Sequence, residues 1–223
     1  MGRVHSIETL GAVDGPGLRM VAFLQGCPLR CKFCHNPDTW DFSAGREMSA
    51  QELCDQAKRY RRFFGEKGGV TFSGGEPLAQ ARFVRECVAA LHRSGIHCAV
   101  DTGGGVASPE ALLLLDEADL ILLDIKHSEA GGFRELTGGD PAALDRVLER
   151  LARTRKPVWV RQVIVEGFTQ SEEQVRAMMR KIAGINAVKI ELLPYHTLGA
   201  HKWAALGLSY PLQGVKPPEE KAM

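Results

Sequence analysis

The stretch Leu120-Ile-Leu-Leu-Asp-Ile-Lys126 is short, apolar and then abruptly charged. Four consecutive aliphatic residues suit a strand covered on both faces, as in a parallel sheet, where no polar alternation is needed. The acid and the lysine then fall where such a strand leaves the sheet. Working outward, the same design recurs. Residues 69–72 run into Gly74-Gly75-Glu76, residues 97–101 end in Asp101-Thr102-Gly103, and residues 158–165 contain Arg161. Residues 18–25 lead into a cysteine-rich loop, and residues 187–193 lead into Tyr195-His196. Between these six candidate strands lie helical stretches with readable starts. Ser49-Ala-Gln-Glu52 and Ser171-Glu-Glu-Gln174 have capping-box spacing, while Ser108-Pro109 and Asp140-Pro141 each set a cap residue before a first-turn proline. Leu144, Val147, Leu148 and Leu151 recur at helical spacing, as do Val175, Met178, Met179 and Ile182, and both stripes predict faces that cover a sheet.

Six β-α alternations with no low-complexity linker predict one α/β domain over residues 1–223, its parallel strands joined by crossover helices. An open doubly wound sheet and a partial barrel both satisfy the alternation. The barrel is favoured because the unusual polar residues gather at strand C-terminal ends, where barrel enzymes build their sites. The expected fold is therefore a partial (β/α)6 TIM-like barrel.

The loop Gln25-Gly-Cys-Pro-Leu-Arg-Cys-Lys-Phe-Cys-His-Asn-Pro37 spaces Cys27, Cys31 and Cys34 as C-x3-C-x2-C. Three thiolates can hold three irons of a [4Fe–4S] cube and leave the fourth open, whereas a cluster closed by four cysteines mainly carries electrons. An open position is also how catalytic zinc works. Zinc is the competing reading, because Cys31-x2-Cys34 and His196-x4-His201 match half-spacings of a Cys2His2 site. Those halves lie far apart in the chain, and Cys27 would have no role. Cys54, Cys87 and Cys98 sit singly in apolar segments, like buried small side chains, which suits a reducing cytoplasm better than secretion.

Bulk properties exclude several classes. With 223 residues, 44% hydrophobic and 25% charged, the chain can bury one substantial core. A net charge of +1 gives no general attraction to nucleic acid or anionic membrane. Neither a secretory nor a transmembrane apolar run is present. Gly2 and Ser6 fit a myristoylation pattern, but the segment reads better as the start of a strand. The basic run Lys58, Arg59, Arg61, Arg62 and Lys67 reads as a solvated helix end. No G-x-x-x-x-G-K-[ST] loop supports nucleotide triphosphate chemistry.

The cysteine loop, Gly74-Gly-Glu-Pro77 and the strand-end acids together resemble the radical S-adenosylmethionine enzymes. Val13-Asp-Gly-Pro-Gly17, Gln25-Gly26, Cys34-His-Asn-Pro37, Asp38-Thr-Trp40, Glu191-Leu-Leu-Pro-Tyr-His196, His201-Lys-Trp203 and Gly214-Val-Lys-Pro-Pro218 are similar to the pyruvate formate-lyase activating enzymes. That similarity runs over nearly the whole chain. It implies one [4Fe–4S] cluster on Cys27, Cys31 and Cys34, with S-adenosylmethionine bound at the open iron. It places Gly74, Gly75 and Glu76 near the cosubstrate's amino group, Lys126 at its carboxylate, and His196 at its ribose and carboxylate. Asp101 and Asp124 would accept from ammonium or ribose hydroxyls, and Asp101, Thr102 and Asp124 would together hold a monovalent cation. His35 would pack near the cluster without ligating it, and Asp14 and Arg161 would touch the substrate peptide.

The implied reaction removes a Cα hydrogen from a glycine of pyruvate formate-lyase (formate acetyltransferase), with flavodoxin or ferredoxin as electron donor. The enzyme is expected to be cytoplasmic and monomeric. Activation of another glycyl-radical enzyme, or simple electron transfer, are the alternatives. Two departures from the family pattern stand out. Gly103 occupies a position where relatives usually carry Asn or Ser. Relatives also continue into a final helix that is expected to be absent here, exposing part of the barrel's flank. Only Cys54 lies between Cys34 and Gly74, so no further cluster is expected.

Overall fold

Alternation within each central strand separates two kinds of surface. Met20, Ala22, Leu24, Val70, Phe72, Cys98, Val100, Ile121, Leu123, Val158 and Val160 point one way and join helix residues in one apolar core. The residues between them include Thr71, Ser73, Asp101, Asp124 and Arg161, and these face inward, as the two-residue period of a strand requires. The computed structural model describes residues 1–218.

The sheet has eight strands: β1 (Gly2–Gly11), β2 (Arg19–Leu24), β3 (Arg46–Met48), β4 (Gly69–Gly74), β5 (His97–Thr102), β6 (Leu120–Asp124), β7 (Pro157–Ile164) and β8 (Asn186–Pro194). Its order is β3-β1-β2-β4-β5-β6-β7-β8. From β2 to β8 the six strands run parallel and in chain order, and they are the six read from the sequence. β1 and β3 extend the sheet antiparallel beyond β2. The first confirms the N-terminal segment as a strand. The second, three residues long, is too short for any periodicity to show. Among the described residues β3 and β8 do not pair, so the barrel stays open.

Among the described residues six helices cover the apolar face, α1 (Ala50–Phe64), α2 (Ala81–His92), α3 (Pro109–Glu117), α4 (Ala130–Thr137), α5 (Pro141–Thr154) and α6 (Glu172–Ile182), while α7 (Ala200–Ala205) packs beside the cysteine loop. Ser49 and Glu52 close a complete capping box on α1. Ser108 and Asp140 cap α3 and α5 ahead of their first-turn prolines. Ser171 caps α6 through the Gln174 N–H, but the expected box stays half made, because the Gln174 side chain instead accepts from the Ser128 hydroxyl. The α5 stripe is buried as expected, each residue contributing roughly 1.5–3 kcal/mol. The α6 stripe is only partly so: Met178 and Ile182 are buried, while Met179 lies 44% exposed, because the helix shows the sheet a narrower face than the spacing suggested.

The basic run ends α1 on the surface, with Arg61 and Arg62 in the last turn, as read. Cys54, Cys87 and Cys98 are fully buried thiols. At the far edge, β8 leaves Val188 and Ile190 exposed. After α7, Leu212 and Tyr210 fold back onto Tyr195, Phe33, Leu136 and Val165. The expectation of an absent final helix concerns chain beyond Pro218 and lies outside the described residues. No helix of the described residues is long and apolar enough to cross a membrane.

Candidate active site

Because the six parallel strands share one direction, their C-terminal ends meet at one mouth. A cavity of about 310 Å³ opens there. It is lined by Cys27, Cys31, Cys34, Gly74, Gly75, Glu76, Asp101, Thr102, Asp124, Lys126, Arg161 and His196, and by Asp14 from the β1–β2 loop. Every site residue read from the sequence thus borders one space. The reading missed its apolar wall: Phe23, Leu29, Phe33, Trp40, Val163 and Leu193. Leu29, Phe33, Trp40 and Leu193 lie inside the quoted motifs without a role assigned to them, and Phe23 and Val163 look like ordinary strand residues.

The cysteine loop is pinned by its own backbone. Arg30 N–H donates to the Thr137 carbonyl (2.7 Å) and Lys32 N–H to that of Leu136 (2.9 Å), which ties the loop to α4. Burial pushes the Cys31 thiol up to about 12, and burial likewise raises Cys27 and Cys34. Such thiols become thiolates when a metal supplies the positive charge. Their spread decides which metal group suits them. Among the described residues, the group of three whose ligand atoms all lie within 4.8 Å of one another is His92, Cys98 and Asp119, so the loop cysteines stand wider apart. A single zinc would draw its sulfurs to about 3.8 Å apart, given Zn–S bonds of about 2.3 Å. At least one pair of the loop sulfurs is wider than that, a spacing that suits a polynuclear cluster better than one zinc.

The His92 group is at the opposite end of β5 and is already satisfied internally. His92 Nε2 lies 2.8 Å from Asp119 Oδ2, which also accepts the Cys98 N–H at 2.7 Å.

Glu76 is the hub of the mouth. It is 1% exposed, and its carboxylate accepts from the Thr102 hydroxyl (2.6 Å) and from the N–H groups of Leu78, Gly103 and Gly105. Burial raises its pKa, and these donors pull it part of the way back. The two glycines before it answer to the chain itself. A Cβ on Gly74, whose φ is +102°, would stand 2.4 Å from Leu24 N, and one on Gly75 would stand 2.4 Å from the Gly26 carbonyl. They let β4's exit pack against the start of the cysteine loop.

Opposite, Arg161 spans two acids. Its guanidinium donates to Asp124 (2.7 Å) and Asp101, while Lys126 Nζ reaches Asp124 at 2.9 Å and the Ser73 hydroxyl reaches Asp101 at 2.9 Å. Parallel register sets Asp124 directly beside Arg161. Burial alone would raise the Asp124 pKa, but Lys126 and Arg161 outweigh it and hold the carboxyl well below its ordinary range. Asp14 lacks such a partner. Burial, and then Asp101, raise it to about 6, against the pull of Arg161. Gly103 admits Lys126: a Cβ there would crowd its Cε at 3.2 Å.

His196 stacks on His35, with ring centroids 4.2 Å apart, and His35 Nε2 lies 3.1 Å from the His196 carbonyl. His196 Nδ1 is buried and has no hydrogen-bond partner among the described residues. The residue borders the cavity, and a buried polar atom without a partner is an exception that a bound ligand would explain. Charge agrees, since four carboxyl groups line the cavity against Lys126 and Arg161 and so favour a ligand with cationic groups.

The Radical SAM superfamily profile matches residues 21–182. The pyruvate formate-lyase-activating enzyme of Clostridium pasteurianum is 44% identical over 99% of this chain and 93% of its own length. The chain belongs to the pyruvate formate-lyase-activating enzymes of the radical SAM superfamily. The Listeria monocytogenes member of that family is 42% identical over the whole chain, and the Escherichia coli pyruvate formate-lyase 1-activating enzyme 41%. Among solved structures, a domain of the activating enzyme from Bacteroides vulgatus superposes with a TM-score of 0.56 at 25% identity, over 70% of this chain and 88% of that one. Streptococcus suis SuiB, at 16% identity, shares the fold alone, with a TM-score of 0.65. Membership in the radical SAM superfamily implies a [4Fe–4S] cluster and S-adenosylmethionine as cofactors.

Proposed function

We propose that this chain activates pyruvate formate-lyase by generating a glycyl radical in it. The observation that carries the reading is the convergence of three widely set cysteines, a charged rim and a histidine with an unpartnered ring nitrogen around one cavity. Cys27, Cys31 and Cys34 would hold three irons. Lys126 suits the cosubstrate's carboxylate, the Gly74–Glu76 turn its amino group, and His196 Nδ1 its ribose or carboxylate. When bound, cluster and S-adenosylmethionine supply the one-electron sulfonium cleavage that yields methionine and a carbon radical able to take a glycine Cα hydrogen.

The protein's own work is alignment and exclusion. Leu29, Phe33, Val163 and Leu193 keep water from the space where a radical would be quenched. Asp14 and Arg161 face the side from which a peptide enters. A monovalent cation at Asp101, Thr102 and Asp124 belongs to this reading only with Arg161 turned away, because its guanidinium now stands between the two acids. Flavodoxin or ferredoxin serves as electron donor to a single-domain, monomeric, cytoplasmic enzyme.

The test is anaerobic. Reconstituted protein, S-adenosylmethionine and dithionite should yield methionine and 5′-deoxyadenosine, and adding pyruvate formate-lyase should produce a glycyl radical by electron paramagnetic resonance. Cys→Ser changes at 27, 31 or 34 should abolish both iron binding and cleavage, whereas Cys54→Ser should retain them. Cleavage with a radical only on another glycyl-radical enzyme would reassign the partner. An iron-loaded protein inert toward the cosubstrate would overturn the reading.

A further inference from the structure

The His201-Lys-Trp203 motif is left unused by that function, yet α7 reaches across the fold to the cysteine loop. Trp203 is 5% exposed, and its indole N–H donates to the carbonyl of Cys34 at 2.9 Å. The same ring meets Trp40 edge-on at 4.9 Å and Tyr210 at 5.5 Å. Lys202 Nζ lies 2.9 Å from Asn36 Oδ1 and 3.1 Å from Asp38 Oδ2. Gly199 makes this approach possible, since a Cβ there would stand 2.5 Å from His35 Cα. Residues 34–40 are thus gripped by a segment more than 160 positions away, while Arg30 and Lys32 are tied to α4 on the other side.

We propose that Trp203 and Lys202 are positioning residues for the iron–sulfur centre. They clamp the Cys34–Trp40 turn so that the third thiolate keeps its place and stays dry. This rests on the function proposed above. The turn's own structure is one short 3-10 helix, Pro37–Thr39, whose other backbone ties run to Gly26 and Cys27, so Cys34 itself depends on the α7 contacts for outer support. Partners behind metal ligands typically control affinity by about 10–100-fold. Solvent access and hydrogen bonding around cluster sulfurs also set the reduction potential.

Trp203→Phe keeps a ring in the aromatic cluster and removes the N–H, while Lys202→Met removes the ammonium. Tyr210→Phe, which loses only its bond to the Tyr195 hydroxyl, is the control. All are studied as full chains by amide exchange over residues 27–40 before reconstitution. After it, the rate of iron loss to a chelator and the cluster's midpoint potential are measured. Trp203→Phe should lose iron about 10–100-fold faster than wild type. Its potential should shift, and protection at residues 34–40 should fall. Lys202→Met should follow in the same direction, and Tyr210→Phe should match wild type. Iron loss and exchange unchanged in both α7 variants, or changed equally in Tyr210→Phe, would overturn the proposal. If wild-type protein takes up no iron, the functional reading fails, and the exchange comparison still decides whether α7 clamps the turn.

Discussion

Arg161→Met removes a cation that two buried carboxylates share. Arg161, Asp101 and Asp124 have side-chain exposures of 11%, 11% and 19%. Methionine roughly refills the volume. Asp124 then retains Lys126, but Asp101 retains only the Ser73 hydroxyl among its side-chain partners. Removing one partner of a buried ion pair costs about 3–5 kcal/mol, since the remaining charge stays desolvated. In a domain of this length each kcal/mol moves the midpoint by about 2–4 °C, so Tm should fall by roughly 6–20 °C.

The pH dependence has a definite sign. A carboxyl held below its unfolded pKa, as Asp124 is, contributes stability that is complete above that value and is lost as pH falls through the folded one. Without Arg161 the carboxyl is held down less. The penalty should be largest near neutrality and shrink toward about pH 4, as the variant's Asp124 takes up a proton. Thermal melts by circular dichroism at neutral and acid pH measure both effects, and adding Asp101→Asn should restore part of the loss. A Tm drop under about 2 °C, no pH dependence, and no rescue would refute the argument.

Two further outcomes are expected. Ser49→Ala breaks the capping box that opens α1, with a cost of about 1 kcal/mol and a Tm lower by about 2–4 °C, readable in the same melts. Asp14 has a raised pKa, so the folded state holds its proton more tightly than the unfolded chain, and this group's contribution declines as pH rises through about 6. Asp14→Asn should therefore gain Tm over wild type above that pH and show no gain below about pH 4; a pH-independent difference would contradict the assignment.

Much of this was legible because it is local. The caps at Ser49, Ser108, Asp140 and Ser171 depend on neighbours two or three residues away, and the six parallel strands show as apolar runs. Where a side chain had a choice of distant partners, local reading failed, as with Gln174 and Ser128 or Met179 on α6. The family resemblance sets Gly74 and Gly75 beside the cosubstrate. Their closest obstacles prove to be Leu24 and Gly26, residues about fifty positions earlier in the chain.

The amino-acid order alone determined which residues would border the site, because chemistry-bearing types placed at the ends of parallel strands must share one rim. It also determined that three cysteines, and no fourth nearby, would sit together. Folding in three dimensions decided what those residues do to one another: that Arg161 stands between Asp101 and Asp124, that Glu76 serves as a hub for backbone donors, and that Trp203 backs Cys34. These are contacts whose partners lie 26 to 169 residues apart, several of them from side chain to backbone. No local pattern encodes them, because register, sheet curvature and the return of the chain's end set the distances on which such contacts depend.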